Sequence, residues 1–321
     1  MNMKKCMSLL IALVLTLSLA ACGGEPVAPA TEPASVEGPL SKVVVYNSSL
    51  CTVLEAFGKS NAIVGAYGTM AETYGVPSCG AWNEVDVEAV IASGAEAIFG
   101  YARYTTEEQI SKLEAAGIAC YFIELSNADT VAEEVTQLGE LFGCEEKAQV
   151  FIDLYNTYDT MLDEKLATVA EPLTVYVEGT AQEPFKTANA TTAAHALVVG
   201  AGLVNVYADN ETAYPERNLE AVITADPGVI VKICGAASNP AEAYADYVSG
   251  LYGVAAADAG KVILLNDQVG TTVIGSVIGR LYVAQFAYPE LFADVDVDAV
   301  YQQLCEEFMG TVYAGSGAYT G

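Results

Sequence analysis

An uninterrupted helical segment near the middle of the chain constrains the fold most. No glycine or proline occurs between residues 145 and 169, and apolar side chains recur there at helical spacing from Phe151 to Val169. Such a helix would extend about 37 Å, at about 1.5 Å per residue. On both sides, short β-branched runs alternate with amphipathic stretches, which predicts parallel sheets covered by helices. We therefore expect an α/β fold with two lobes and mainly parallel sheets, joined by one long rigid backbone helix.

The N-terminal residues predict export. Lys4 and Lys5 precede an apolar run that is too short to be a comfortable membrane span. Residues 19–23 read Leu-Ala-Ala-Cys-Gly, which is similar to a bacterial lipobox and implies cleavage before Cys22 and a lipid on its sulfur. An ordinary signal peptide with a chance cysteine is the alternative. The following segment is rich in Gly, Pro, Ala, Glu and Ser, which predicts a flexible tether.

No second long apolar run follows, so we expect an extracytoplasmic body that meets the cell membrane only through its lipid. The predicted organisation is a signal peptide at 1–21, a tether at 22–40, an N-terminal lobe at 41–144, a linking helix at 145–170, a C-terminal lobe at 171–312 and a tail at 313–321.

The charge is strongly acidic, with 41 acidic residues against 13 basic ones and a formal net charge of −28. Nucleic acid is excluded as a partner because phosphate binding needs a basic surface. Direct docking onto anionic lipid is also disfavoured. Such a surface favours a soluble monomer.

The cysteines and the single histidine do not form a metal-binding pattern. Apart from Cys6 and Cys22, the cysteines are widely spaced with no CxxC, which predicts structural thiols or one disulfide rather than a metal site. His195 is the only histidine, so a site with several histidines is impossible. It lies on an alanine-rich helix and is expected to be structural. An axial ligand to haem or cobalt is the alternative.

The two halves of the chain contain similar segments. Residues 85–92 resemble residues 217–224 at an offset of 132, and a hydrophobic strand follows each segment. This internal similarity predicts two similar lobes.

Five short stretches, in this order and spacing, resemble the helical-backbone substrate-binding proteins of ABC importers for iron siderophores, haem and cobalamin. They are residues 42–46, 61–65, 86–90, 218–222 and 288–292. The resemblance implies a ligand held between two lobes and delivery to an ABC permease dimer. It also implies that Glu88 and Glu220, at matching positions, dock onto permease arginines. Their position in the first turn of a helix, where negative charge suits the dipole, is the alternative explanation.

Ligand contacts are expected in loops that follow strands and face the other lobe. The candidates are Asn47, Ser48, Tyr67, Trp82, Tyr101, Arg103, Tyr104, Phe185, Lys186, Arg217, Asp267, Gln268, Thr271 and Arg280. The three arginines of the chain are all among them, which suits an anionic or oxygen-rich ligand. Trp82 is similarly placed to a tryptophan of the cobalamin binders in the family.

The predicted function is therefore that of an importer lipoprotein that captures a ferric siderophore. A corrinoid (cobalamin) or haem on the same scaffold is the first alternative, and a surface adhesin or sensor lipoprotein is the second. The sequence contains no nucleophile elbow, P-loop, dinucleotide fingerprint or histidine–glutamate metal motif. We expect no enzymatic activity and no cofactor, since the metal chelate would be the cargo.

Overall fold

The computed structural model describes residues 38–125, 130–179, 184–235, 239–311 and 315–321. The predicted signal peptide, Cys22 and nearly all of the predicted tether lie outside the described residues. Leu40, the last residue of that tether, already belongs to the core. It is 2% exposed, and its N–H donates to the carbonyl of Leu141 at 2.8 Å.

Strands and helices alternate through both halves of the described chain. The strands are β1 (Val43–Val45), β2 (Ile63–Ala66), β3 (Gly80–Ala81), β4 (Glu84–Val85), β5 (Ala97–Phe99), β6 (Ala119–Tyr121), β7 (Thr174–Glu178), β8 (Val204–Asn205), β9 (Val229–Cys234), β10 (Val262–Asn266) and β11 (Ala318–Tyr319). The helices are α1 (Ser48–Ala56), α2 (Gly68–Tyr74), α3 (Val87–Ala92), α4 (Glu107–Ala115), α5 (Val131–Phe142), α6 (Glu145–Leu166), α7 (Ala193–Gly200), α8 (Leu219–Ala225), α9 (Pro240–Ser249), α10 (Ala255–Asp258), α11 (Asp267–Gly270), α12 (Val273–Ala287) and α13 (Val297–Gln303).

Each lobe is built on a sheet whose strands run mainly parallel. The N-terminal sheet has the order β2-β1-β5-β6, and the C-terminal sheet has the order β11-β10-β9-β7-β8, in which only β11 pairs antiparallel. The central strands β1 and β5 are fully buried, and β7 and β9 are mostly buried, as expected for parallel strands covered by helices on both faces. The predicted two-lobed α/β fold is confirmed.

The linking helix α6 has 22 residues, which corresponds to about 33 Å at about 1.5 Å per residue. Its buried side chains include Phe151, whose ring centroid lies 5.0 Å from that of Phe308. Phe308 belongs to a π-helical segment, Leu304–Met309, that follows α13 and also contacts Phe57 of the N-terminal lobe at 6.1 Å. One continuous apolar core therefore connects both lobes through α6, so the link is packed rather than a free hinge.

The internal similarity extends into the sheet register. Val43 of β1 pairs with Ala97 of β5, and Val175 of β7 pairs with Val229 of β9, so that 175 − 43 = 229 − 97 = 132. The two similar helices also begin alike, because Asp86 and Asn218 cap α3 and α8 by accepting from the backbone N–H three residues on, at 3.0 and 2.9 Å. The two lobes therefore share strand register and helix capping.

Two features differ from the sequence-based expectations. Residues 80–85 form the β3–β4 hairpin, which the sequence patterns did not predict. The predicted tail adds β11 to the edge of the C-terminal sheet. Strands of two residues contain too short an apolar pattern to be recognised by periodicity. Within the described ranges, no helix is both long and apolar enough to cross a bilayer.

Candidate functional site

The strand order creates a similar crevice in each lobe. The chain leaves the carboxyl end of β1 toward β2 and later returns on the other side as β5, and β7 has the same relation to β8 and β9. Ligands of open α/β sheets bind outside the carboxyl ends of strands at such switch points. Helix α1, which follows β1, contacts α12, which follows β10 in the other lobe. The two lobes therefore contact each other through helices that follow the carboxyl ends of strands in each sheet.

Three aromatic rings form a cluster at the carboxyl edge of the N-terminal sheet, which we call the aromatic platform: Trp82, Tyr101 and Tyr104. The centroid of Trp82 lies 5.2 Å from that of Tyr104 and 6.4 Å from that of Tyr101, and all three pairs are close to perpendicular. The two-residue turn of the β3–β4 hairpin presents Trp82, which remains 48% exposed. Gly80 makes this hairpin possible, because a Cβ there would lie 2.2 Å from the carbonyl oxygen of Glu84.

Arg103 extends the aromatic platform with a positive charge. Its guanidinium lies 5.0 Å from the ring centroid of Tyr101 and 4.9 Å from that of Tyr104, which is cation–π geometry. It also forms an ion pair with Glu124 at 2.9 Å. The side chain is 56% exposed, so one face of this charge is open to a ligand.

Two further predicted residues, Ser48 and Tyr67, lie at the same edge and interact with each other. Burial raises the pKa of Tyr67, while a hydrogen bond with Ser48 acts in the opposite direction. Burial also raises the pKa of Tyr101. Both phenols therefore keep their protons at neutral pH and can donate hydrogen bonds. Asn47, in contrast, is 2% exposed, and its amide is used on the carbonyl of Glu124 at 2.6 Å, so its role is structural.

A buried ion pair, which the sequence analysis missed, lies at the switch point of the C-terminal lobe. Glu178, at the end of β7, is 1% exposed and lies 3.3 Å from the Nζ of Lys232 on β9. Glu178 also accepts from the hydroxyl of Tyr176 at 2.8 Å and from the N–H of Phe185 at 3.2 Å. Lys232 donates to the carbonyl of Gly179 at 3.0 Å. The pair thus holds the backbone at Gly179 and at Phe185, both of which follow β7.

The structure brings Phe185, Lys186 and Arg217 together beside this ion pair. Phe185 has a φ of +61°, which is unusual for an aromatic residue, and its carbonyl accepts from the N–H of Arg217 at 2.9 Å. The backbone of Lys186 forms a bridge to Glu216. The guanidinium of Arg217 lies 4.8 Å from the ring centroid of Tyr207, so this charge is already partly engaged.

The remaining predicted contacts divide into two groups. Asp267, Gln268 and Thr271 lie on or directly after α11, at the carboxyl end of β10, as expected. Arg280 does not lie at a carboxyl edge. It is 5% exposed, and its guanidinium bonds Tyr155 at 2.9 Å and Asp159 at 2.6 Å, both on the linking helix. The structure therefore corrects the expected cleft position of Arg280, because its helix α12 packs directly against α6.

The family is decided by a comparison with known protein families. Residues 43–269 match the sequence model of the periplasmic binding protein family. The chain belongs to this family. Its members are solute-binding proteins that work outside the cytoplasm with ABC transporters.

Individual relatives are distant. The vitamin B12-binding protein of Yersinia pestis (strain Pestoides F) is 23% identical over 150 residues, which cover 47% of this chain and 53% of the relative. The vitamin B12-binding protein of Yersinia pseudotuberculosis serotype O:1b (strain IP 31758) matches equally. The chain thus spans about half the length of the curated relatives it matches.

Solved structures share the fold over most of the chain. The TroA-like periplasmic binding protein FepB of Veillonella parvula aligns with a TM-score of 0.75 at 19% identity, covering 89% of this chain and 96% of that one. The molybdate-binding protein MolA of Haemophilus influenzae, solved with molybdate, gives a TM-score of 0.71 at 17% identity over 88% and 96%. A periplasmic haem-binding protein of Pseudomonas aeruginosa aligns with a TM-score of 0.59 at 19% identity, covering 78% of this chain and 93% of that one. These likenesses establish the fold alone.

Glu88 and Glu220 occupy equivalent surface positions in this periplasmic binding protein. Each is exposed in the first turn of its helix, two residues after the Asp86 or Asn218 cap. Each helix leads directly into a central strand, β5 or β9, so its first turn lies toward the carboxyl edge of its sheet. The geometry places one carboxylate on each lobe at the same edge.

His195 packs onto β8. Its Nδ1 lies 3.2 Å from the amide nitrogen of Asn205, whose oxygen accepts from the N–H of Tyr207, so the amide nitrogen is the donor and the ring proton is on Nε2. Burial lowers the pKa of His195, which keeps the ring neutral at pH 7. These contacts fit the expected structural role.

The cysteines of the described chain, Cys51, Cys79, Cys120, Cys144, Cys234 and Cys305, are all free thiols. Burial raises the pKa of Cys51 to about 12 and those of Cys79 and Cys120 to about 11, so these thiols stay protonated and unreactive. Among the residues that the structure describes, no group of three or more His, Cys, Asp or Glu side chains could hold a metal ion.

Proposed function

We propose that this protein is the solute-binding component of an ABC importer and that it captures a bulky metal chelate with a flat apolar face. A corrinoid is the first candidate. The observation that carries this proposal is the aromatic platform, in which Trp82 stays half exposed at the carboxyl edge of the sheet. Exposed aromatic faces offer a large apolar contact area at little cost in side-chain entropy.

The arginines favour a corrinoid over a highly anionic chelate. Arg280 is buried against the linking helix, and Arg217 is engaged with Tyr207 and its neighbours. Only Arg103 keeps a largely exposed guanidinium, and Glu124 already balances part of its charge. A cleft with so little free positive charge fits a chelate that carries little negative charge. The B12-binding relatives point to the same class of ligand.

A ferric siderophore is the second candidate, because Arg103 presents its guanidinium beside two phenols. Guanidinium and phenol groups can together donate hydrogen bonds to hydroxamate or catecholate oxygens. The absence of an enzymatic activity, the lipid on Cys22 and a monomeric state remain predictions.

Fluorescence titration tests the proposal, since Trp82 is the only tryptophan. The purified protein is titrated with cyanocobalamin, a ferric trihydroxamate, a ferric tricatecholate and haem. Calorimetry corrects for optical filtering and measures the affinity of the variant that lacks Trp82. We expect saturable quenching by cyanocobalamin. Trp82→Ala should weaken binding about 30-fold, since truncating a central aromatic anchor costs about 2 kcal/mol. Tyr252→Ala is the matched control, because Tyr252 is a 72% exposed aromatic residue in the loop between α9 and α10 of the other lobe. Binding of none of the four chelates, or equal binding by Trp82→Ala, would overturn the proposal.

Docking to the permease is tested separately through the matched pair of glutamates. Glu88→Lys and Glu220→Lys should each lower uptake in cells, and the double variant should lower it further, because a carboxylate on each lobe would face the two halves of a permease dimer. Ligand affinity should stay unchanged in all three variants. Exposed Glu290→Lys serves as the charge-matched control. Equal uptake by the double variant and the control would remove these residues from the docking surface.

A further inference from the structure

A pocket of about 500 Å³ opens at the carboxyl edge of the C-terminal sheet. Its walls come from the ends of β9 and β10, the short helix α11, Tyr301 of α13 and the last residues of the chain. This volume lies within the range of about 300–1,000 Å³ that is typical of small-molecule sites. The position of Gln268 after a strand predicted a ligand contact, whereas no sequence pattern predicted that the C-terminal residues take part.

The C-terminal segment 315–319 forms a fixed wall of this pocket. Strand β11 pairs with β10, with Tyr319 opposite Leu264. Gly317 accepts from the N–H of Asn266 at 2.8 Å, and its own N–H donates to the hydroxyl of Tyr282 at 3.0 Å. The ring of Tyr319 packs edge-on against Tyr244 at 5.6 Å. Backbone pairing and ring contacts therefore hold the segment in place, and the pocket exists before any ligand arrives.

The described walls of the pocket are uncharged. None of the described residues that line the pocket carries a formal charge, and their polar groups are amides, hydroxyls and a thiol: Asn266, Gln268, Tyr301, Ser316, Tyr319 and Cys234. Burial raises the pKa of Tyr301, and Cys305 and Asp267 act in the same direction. Burial also raises the pKa of Cys234, where Lys232 opposes the rise and Asp267 adds to it, so both groups keep their protons. Among the described residues, no lysine or arginine lines these walls, and the nearby Lys232 is already paired with Glu178, so an anionic group would lose its hydration without gaining a free cation.

We infer that this pocket is a second subsite, which binds an uncharged group that carries amides or hydroxyls beside a flat apolar face. The inference rests on the proposed function and narrows it. The aromatic platform would take the flat face of the chelate, and the pocket would select chelates whose peripheral substituents are neutral. Carboxylate-bearing or multiply anionic chelates would be rejected here because the pocket offers no cation and lies next to Asp267.

Gly235 gives a direct way to fill the pocket. A Cβ at this position would meet only the Oδ2 of Asp267, at 3.9 Å, so Gly235→Leu places its side chain into space rather than into backbone. Gly250→Leu is the matched control, because Gly250 is exposed at the end of α9 on the same lobe and also meets only one atom, the carbonyl oxygen of Tyr247 at 3.4 Å. Gly235→Leu should weaken binding of cyanocobalamin and of a neutral ferric trihydroxamate at least tenfold, whereas Gly250→Leu should not.

Cys234 supplies a readout that does not depend on Trp82. Its modification by a small thiosulfonate at pH 8.5 is followed by peptide mass spectrometry, with half-buried Cys144 as the internal control. The two neutral probes should slow modification of Cys234 at least fivefold and leave Cys144 unchanged, while haem and the ferric tricatecholate should protect neither. Gln268→Phe, at an exposed residue of the pocket rim, provides a second blocking variant should Gly235→Leu fail to fold.

The outcomes separate the subsite from the proposed function. Quenching of Trp82 without protection of Cys234, and with wild-type affinity in both blocking variants, would overturn the subsite and leave the proposed function standing. Protection of Cys234 without any quenching of Trp82 would support the subsite and overturn the proposed platform. Protection by the tricatecholate in preference to the neutral probes would overturn the assigned ligand class. Neither quenching nor protection would overturn both.

Discussion

The two lobes share one framework but end their central strands with different chemistry. The residue after β1 is Tyr46, and Gly100 lies opposite it after β5. The equivalent positions in the C-terminal lobe are Glu178 and Lys232, since 46 + 132 = 178 and 100 + 132 = 232. Tyr46 donates a neutral hydrogen bond to the carbonyl of Cys79 at 2.6 Å, whereas Glu178 and Lys232 form a buried ion pair.

This difference shows where the framework allows variation. Buried β-branched residues at equivalent positions, such as Val43 and Val175, fix the register in both lobes. At the carboxyl ends of these paired strands the side chains can vary, so that a buried tyrosine lies opposite a glycine in the N-terminal lobe and a buried ion pair occupies the equivalent positions in the C-terminal lobe. A neutral hydrogen bond contributes about 1 kcal/mol to folding stability, whereas the free-energy cost of a buried charge depends strongly on whether its partner is present.

The largest expected effect comes from breaking the buried ion pair. Lys232→Met leaves the Glu178 carboxylate buried without its cation and should lower the free energy of unfolding by about 3–5 kcal/mol, measured by urea denaturation. The double variant Glu178→Gln/Lys232→Met should recover much of this loss. The equivalent N-terminal change, Tyr46→Phe, should cost only about 1 kcal/mol. Similar losses for Lys232→Met and Tyr46→Phe would show that the lobes do not differ in this way.

A second comparison uses one arginine from each lobe. Arg280→Met should lower the free energy of unfolding by about 2 kcal/mol, because it removes charged hydrogen bonds to Tyr155 and Asp159, and it should leave ligand affinity unchanged. Arg103→Met should lower ligand affinity and leave stability nearly unchanged, because its exposed ion pair contributes only about 0–1 kcal/mol to stability. Denaturation and calorimetry on both variants check this contrast. A loss of affinity in folded Arg280→Met would return that residue to the ligand site.

A smaller effect tests how alike the lobes are. Asp86→Ala and Asn218→Ala each remove the cap of an equivalent helix and should each cost about 1 kcal/mol, measured by thermal and urea unfolding. The exchanges Asp86→Asn and Asn218→Asp keep an acceptor and should change stability by no more than about 0.5 kcal/mol. A large loss on one side only would show that one of the two helix starts carries additional interactions.

The smallest expected effect is a dependence of stability on pH that comes from His195 in the C-terminal lobe. The folded pKa of His195 lies below its ordinary value because of burial, so the unfolded chain binds its proton first as the pH falls. Its contribution is fully present above about pH 6.5, the ordinary histidine pKa, and is lost as the pH falls from there through the folded pKa. His195→Gln should flatten the stability profile in that window. A steeper profile for the variant would contradict the lowered pKa.

Sequence patterns predicted the elements that rely on periodicity. The linking helix begins at Glu145 as expected and ends three residues before Val169. Helices that carry Glu88 and Glu220 in their first turns were also expected, and the structure shows that Asp86 and Asn218 cap them. The candidate site was predicted in part. Residues directly after strands, such as Tyr67 and Tyr101, do lie at the carboxyl edge, since parallel strands end together there.

The expectations that differ from the structure depend on contacts between distant residues. Arg280 was placed at the cleft, but the Tyr155 and Asp159 side chains that hold it lie more than a hundred residues away. The Glu178–Lys232 pair and the wall formed by Tyr319 likewise exist only because β7, β9, β10 and β11 are neighbours in one sheet.

The sequence by itself therefore determined the two-lobed α/β architecture, the long helix that joins the lobes and the internal similarity, because apolar periodicity and short similar segments are patterns that extend over only a few residues. Only the tertiary structure decided which polar side chains are free for a ligand. That choice depends on which distant partners satisfy each guanidinium, carboxylate or amide, and a buried polar group takes whichever partner the packing brings within hydrogen-bonding distance.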